Sequence, residues 1–182
     1  TGPIVDSFEL QRLQTKYPGV GTWNAPDGRL NRIFGRPMET GSSPRATAMK
    51  VVREWSGIWG LAPKNLMLAG PFPGDDRTEQ TLMWDQATET YKFTAVYFKQ
   101  NVQGVPVYNS RLQVLVRNDS GYPAVSIGTD LRNVEALAGV SRPVGIERSM
   151  VDARAADFLG NDFVYVSEPE LIVYAGYDFE SV

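Results

Sequence analysis

The sequence predicts an α+β fold in which helices pack on antiparallel β-sheets. Three observations predict it: a hairpin near the N-terminus, an amphipathic helix with clear start and stop signals, and a run of alternating strands separated by turns. A second helix and further short apolar segments follow the strands. We therefore expect two modules, residues 1–135 and residues 136–182, each with a helix laid on a sheet.

The hairpin is predicted between residues 20 and 34. Val20–Trp23 and Leu30–Phe34 are short apolar arms, and Asp27-Gly28 between them is a strong turn signal. These segments therefore form the first two strands of the predicted sheet.

The first helix is predicted from its capping residues and its apolar spacing. Ser43 suits the N-cap, Pro44 suits the first helical position, and Gly60 suits the position after the last turn. Between them, apolar residues recur three and four positions apart, which gives one face for packing on a sheet. These residues are Ala48, Val51, Val52, Trp55, Ile58 and Trp59.

Four strands are predicted next, at Thr81–Asp85, Tyr91–Gln100, Tyr108–Arg117 and Tyr122–Gly128. The second of them carries large side chains on both faces, so we expect it to be central in an antiparallel sheet. Between the second and third strands, Val102–Val107 contains Gly and Pro, where a bulge or a sharp bend would fit.

The second module is predicted from a helix at Ile146–Leu159, which Gly160 ends, and a hairpin of Phe163–Val166 with Leu171–Tyr174. The apolar stripe of this helix consists of Val151, Ala155, Phe158 and Leu159. Since a helix and one hairpin bury little apolar area, we expect this unit to pair with further strands, the first module or a partner.

Composition excludes several function classes. Cys and His are both absent, which removes thiolate and His-based metal sites, Ser-His and Cys-His nucleophile pairs, and His acid–base catalysis. The net charge is −3, with eight basic and five acidic residues in positions 1–60 and four basic and nine acidic residues in positions 131–182. Without a concentrated basic face we expect no nucleic-acid binding, and without an apolar run of about 18 residues we expect no membrane span.

Acidic residues are the remaining candidates for chemistry. Asp75-Asp76 lies in a Pro-Gly loop, where a solvated turn is the simpler interpretation and a weak calcium or magnesium site the alternative. A hydrolase that uses carboxylates alone would need Asp75, Asp76, Asp85 and Glu89 to converge in a pocket. We therefore expect no catalytic residue, no bound metal and no cofactor, and we expect that the chain is not an enzyme.

The stretch FKQNVQGVPVYNSRLQVLVRNDSGYPAVSIG, residues 98–128, resembles the propeptides of thermolysin-like and fungalysin-like metalloproteases. Their motif has a strand ending in an aromatic residue and Gln, a Gly-[Val/Ile]-Pro-Val loop, an alternating apolar strand and later glycines, here Gly121 and Gly128. The segments GTWNAPDGRLNRIFG and RATAMKVVREWSGIWGL resemble the start and the helix of the same module. GIERSMVDARAADFLG with PELIVY resembles the PepSY domain that follows it in these propeptides.

The resemblance implies curved, cystatin-like sheets and a pro-region that inhibits a secreted zinc metalloprotease and assists its folding. The implied partner is the catalytic domain of that protease, in cis or in trans. A free-standing exported module that binds a protein or a peptide is the alternative. Because Thr1 is not an initiator methionine, we expect that a signal peptide was removed and that the protein is secreted or periplasmic. The motif and candidate contact residues are Phe98, Gln100, Gly104, Val105, Pro106, Val107 and Tyr108.

Overall fold

A computed structural model describes residues 2–72, 74–137, 146–160, 162–165 and 168–175. It has the predicted α+β fold, with helices and a mostly antiparallel sheet. The division into two modules stays a prediction, since residues 138–145 lie outside the described ranges.

The described helices are α1, Ser7–Lys16; α2, Pro44–Trp55; and α3, Arg148–Leu159. Short 3-10 helices cover Ser56–Trp59, Pro63–Asn65 and Glu135–Leu137. The strands are β1, Gly21–Asn24; β2, Leu30–Phe34; β3, Leu66–Leu68; β4, Glu79–Asp85; β5, Thr90–Val102; β6, Val105–Pro106; β7, Arg111–Arg117; and β8, Ala124–Asp130. No helix in these ranges is long and apolar enough to cross a membrane.

The sheet is organised around the 13-residue strand β5, as its two-faced pattern predicts. The strand order is β1-β2-β8-β7-β5, and β5 also pairs with β4, β3 and β6 at successive positions along its length. The predicted N-terminal hairpin is confirmed, because β1 and β2 pair antiparallel with Gly21 opposite Phe34. The four strands predicted between residues 81 and 128 are also present, and their ends are shifted by a few residues.

One face of the sheet, here called the inner face, forms the hydrophobic core with α2. Val96, Val114 and Ile127 lie opposite one another on β5, β7 and β8, and all three are fully buried. α2 packs against these strands through Val51 and Trp55, which are also buried. The predicted spacing of this helix is thus confirmed.

The ends of α2 show how the sequence positions it. The Ser43 hydroxyl accepts a hydrogen bond from the Ala46 N–H, and Pro44 is the first helical residue, as predicted. The α-helix ends at Trp55, earlier than predicted, and continues as the 3-10 turn Ser56–Trp59. Gly60 follows with a φ of +64°, the left-handed conformation that a glycine at this position favours.

Helix α1 is not among the predicted elements, which begin with the hairpin between residues 20 and 34. The Asp6 carboxylate caps it by accepting hydrogen bonds from the N–H groups of Phe8 and Glu9. Leu13 is its one fully buried residue, so the apolar stripe is too narrow to stand out in the sequence. The helix lies beside the 3-10 turn that follows α2, where Asp6 N–H donates to the Ile58 carbonyl at 2.8 Å.

The C-terminal elements agree with the sequence only in part. α3 begins two residues later than predicted and ends at Leu159 before Gly160, but none of its residues, all described, is buried. In its predicted stripe, Val151 and Ala155 are only half-buried, and Phe158 is 88% exposed. The described part of the predicted hairpin does not pair with itself; residues 166 and 167 lie outside the description, and Val173 pairs instead with Val107.

Candidate functional site at the β5–β6 hairpin

The seven motif residues lie together at the end of β5, in the β5–β6 turn, in β6 and just after it. Phe98 and Gln100 are on the inner face of β5 and are 1% and 0% exposed. Val105 and Val107 are buried as well. These four residues hold the hairpin in place and are not accessible to a partner.

The turn between β5 and β6 has two residues, and both have a positive φ. Gln103 has φ +52° and Gly104 has φ +83°, the signature of a type I′ hairpin turn. Gly104 N–H donates to the side-chain carbonyl of Asn101 at 3.1 Å, which ties the turn to β5. The predicted bend between the strands is thus a tight hairpin, and Gly104 is required there by the backbone.

The side chain of Gln100 links the segment that follows β8 to the base of the hairpin. Its side-chain amide donates to the Arg132 carbonyl at 2.9 Å, and its side-chain oxygen accepts from the Arg132 N–H at 2.9 Å. The backbone of Gln100 accepts from Val107 N–H and donates to the Ser110 hydroxyl. Because all these groups are buried and paired, the Gln of the motif has a structural role.

The segment after β6 pairs with an extended stretch near the C-terminus. Val173 N–H donates to the Pro106 carbonyl, and Tyr108 N–H donates to the Val173 carbonyl, both at 2.8 Å. The pairing is parallel, and the Tyr108 and Tyr174 rings lie 6.2 Å apart beside it. The Pro106–Tyr108 edge therefore binds an extended backbone in the way that a sheet adds a strand.

A cavity of about 330 Å³ adjoins this pairing. Its lining mixes rings and apolar groups with charged side chains, including Phe72, Lys99, Tyr108, Arg111, Glu170 and Ile172. This combination suits contacts with a polypeptide, since it offers apolar contact together with side chains of both charges.

Comparison of the chain with family models, with curated proteins and with solved structures finds no match. The likeness to metalloprotease propeptides therefore depends on the sequence segments of this chain alone. Its functional consequences are proposals.

Access at the hairpin is limited to three of the motif residues. Gly104 is exposed at the turn, whereas Pro106 and Tyr108 are half-buried beside the cavity. Any direct contact of the motif with a partner passes through these three positions. The other four motif residues are buried and support these three positions.

Two of the four acidic candidates, Asp75 and Asp85, are engaged in local contacts. Asp75 accepts hydrogen bonds from the Arg77 backbone and guanidinium, and the side-chain bond to Arg77 is the main cause of its lowered pKa. A hydrogen bond from Lys92 is the main cause of the lowered pKa of Asp85. Within the part of the chain that the structure describes, no three acidic side chains form a group that could hold a metal ion.

The pairing partner of the hairpin was missed by sequence reasoning. The sequence predicts that Leu171–Tyr174 is extended, but it predicts pairing with Phe163–Val166. A short alternating segment does not specify which edge it joins, since main-chain hydrogen bonds are the same for every partner. Only the edge at Pro106–Tyr108 distinguishes the partner of this segment, and that edge exists only after the hairpin has formed.

Proposed function

We propose that this chain is a non-catalytic pro-region that inhibits a secreted thermolysin-like zinc metalloprotease and assists its folding. The observation that carries the proposal is the main-chain pairing of Pro106–Tyr108 with an extended segment, at the motif that resembles these propeptides. A rigid sheet that presents an extended backbone is suited to a peptidase, because peptidases bind their substrates in extended form.

The proposed mechanism requires binding alone. A pro-region that binds the native peptidase domain, and not its unfolded form, stabilises the folded domain by mass action. When both are part of one chain, the effective concentration is high, so moderate affinity is enough before cleavage. The partner is thus the peptidase catalytic domain, in cis or in trans, and the place of action is outside the cytoplasm.

Refolding tests this proposal. The zinc peptidase domain encoded in the same reading frame, identified by its H-E-x-x-H motif, is diluted from denaturant with and without an equimolar amount of this chain. We expect several-fold more soluble peptidase with the chain than with an unrelated protein at the same concentration. Equal recovery in both samples would contradict the proposal.

A free-standing exported module that binds a peptide or a protein is the second candidate, favoured by the same pairing at Val173. An edge that binds one extended segment can bind another of similar shape. Adhesion domains or repeats in the reading frame, in place of a peptidase, would favour this alternative. Weaker binding by a Tyr108→Ala variant would then identify the same edge as its site.

A further inference from the structure

The second face of the sheet, opposite α2, is here called the outer face. Large aromatic side chains are exposed on this face, one each from β1, β2, β4 and β5. Trp23 is 52% exposed, Phe34 41%, Trp84 55% and Tyr91 41%. The strand register assigns them to this face, since Phe34 lies opposite Ser126 and Trp84 opposite Tyr91. None of the helices in the described ranges buries these rings.

Two small residues of β8, Ser126 and Gly128, lie at the centre of the outer face. Residues that lie opposite one another on neighbouring strands form rows across this face. One row consists of Phe34, Ser126, Leu115 and Ala95. The next row consists of Trp23, Arg32, Gly128, Gln113 and Tyr97. A Cβ atom added to Gly128 would meet no atom within 4 Å. The space above this glycine is therefore open, with Trp23 and Phe34 on one side and Leu115 on the other.

The charges on the outer face are mostly basic. Arg32, Lys99 and Arg111 lie on this face in β2, β5 and β7, and Lys99 and Arg111 also line the cavity that Glu170 adjoins. Arg117, also on this face, pairs with Asp119. The acidic residue Asp130, at the end of β8, already lies within 3.5 Å of two arginine side chains, Arg29 and Arg132. This face is thus basic in a chain whose net charge is −3.

We propose that the outer face docks a folded protein whose surface presents carboxylates around an apolar centre. Resting on the proposed function, that protein is the peptidase domain, which the chain then holds by the outer face in addition to the hairpin. The charge and the rings are complementary to such a surface, because buried aromatic residues and Arg dominate protein interfaces.

The size of the face favours a folded partner over a single peptide. From β1 to β4 there are five strand spacings, about 24 Å in all, and the six residue-to-residue steps from Tyr91 to Tyr97 add about 20 Å along β5. One extended peptide covers about 10 Å of that width. A domain surface covers all of it.

Aromatic and basic side chains on a sheet are also found in single-stranded nucleic-acid binders. Two features favour protein here. The chain as a whole is acidic, which opposes a polyanion, and Arg117 is already neutralised by Asp119. Nucleic acid is therefore an outcome that the test must separate.

The test measures the dissociation constant of the purified peptidase domain for the intact chain and for five variants, together with the inhibition of peptidase activity. Trp23→Ala, Arg32→Glu and Gly128→Glu alter the outer face at exposed or open positions. Met49→Ala and Arg45→Glu are matched controls on the exposed side of α2. Thermal unfolding of every variant checks that the fold is retained.

We expect each outer-face variant to raise the dissociation constant at least ~10-fold and the controls to change it less than ~2-fold, as for central and distant positions of an interface. If the unmodified chain inhibits the peptidase and the outer-face variants inhibit equally well, this inference is wrong and the proposed function stands. If the unmodified chain neither binds nor inhibits, the proposed function fails and the inference fails with it. Binding of a 12-nucleotide single strand that Trp23→Ala abolishes, or a dimer that Gly128→Glu abolishes, would also overturn it.

Discussion

The indole Nε1 of Trp55 donates a hydrogen bond at 3.2 Å to the carboxylate of Glu39, which is 2% exposed. The same carboxylate accepts from Lys16 at 2.6 Å, from Tyr17 at 2.7 Å and from Lys50 at 2.8 Å. One buried charge in the loop before α2 therefore joins the C-terminal end of α1 to the middle and the C-terminal end of α2. Burial of a carboxylate is tolerated here because four donors surround it.

Glu39→Gln is expected to destabilise the fold by about 2–3 kcal/mol, because the variant leaves Lys16 and Lys50 without their anion while both remain half-exposed to water. The free energy of unfolding is measured by urea titration. Glu54→Gln, which removes an exposed pair with Arg53, is the control and should change stability by less than about 0.5 kcal/mol. Equal effects of both variants would contradict the role of Glu39.

The same carboxylate predicts a loss of stability in acid. Burial raises the pKa of Glu39, but hydrogen bonds from Lys16, Lys50 and Tyr17 outweigh it and lower the pKa from 4.5 to about 2. The unfolded chain therefore binds the proton more readily, and about 3 kcal/mol of stability, fully present above pH 4.5, is lost as the pH falls to about 2. Unfolding free energies measured at pH 6, 4, 3 and 2 should fall more steeply for the unmodified chain than for Glu39→Gln. Parallel curves would disprove this assignment.

Two glycines of the motif are predicted to respond differently to the same substitution. An added Cβ meets no atom within 4 Å at either Gly104 or Gly128, but only Gly104 has a positive φ, +83°. Gly104→Ala should therefore cost about 1–2 kcal/mol, whereas Gly128→Ala in a strand should be neutral or slightly stabilising. Thermal unfolding of both variants compares them directly. A similar cost at both positions would refute the type I′ turn.

The strand pairing at the hairpin can be removed selectively. Val173→Pro lacks the N–H that bonds to the Pro106 carbonyl, so the amide of Tyr108, which bonds to the Val173 carbonyl, should exchange its hydrogen at least ~10-fold faster. Val173→Ala keeps the N–H and should retain slow exchange. The inner-face amides should exchange alike in both variants. Unchanged exchange at Tyr108 in the proline variant would show that the C-terminal segment does not pair there.

Local signals in the sequence account for most of the fold. Ser43 and Pro44 define the start of α2 by chemistry that lies within four residues, and the alternation along β5 identifies a central strand. Helix α1 is not predicted because its single buried residue, Leu13, gives no periodic pattern. A helix or strand can be predicted from the sequence when neighbouring residues determine it, and it is missed when distant contacts determine it.

The sites depend on contacts between distant positions, which a single sequence does not reveal. Nothing near Glu39 indicates that Lys16 and Trp55 will surround it, and nothing near Pro106 indicates that Val173 will pair beside it. The motif did locate the hairpin, but four of its seven residues are buried supports. The outer face becomes apparent only from the strand register, which places Trp23 and Trp84 on the same side of the sheet.

The central claim is that this chain acts by binding a zinc peptidase. The most direct measurement is a titration of the peptidase encoded in the same reading frame, at fixed concentration, with the purified chain, followed by the hydrolysis rate of a peptide substrate. We predict slow onset and loss of activity that is complete near one chain per enzyme. Full activity at a tenfold excess of the chain, after hours of incubation, would contradict the account.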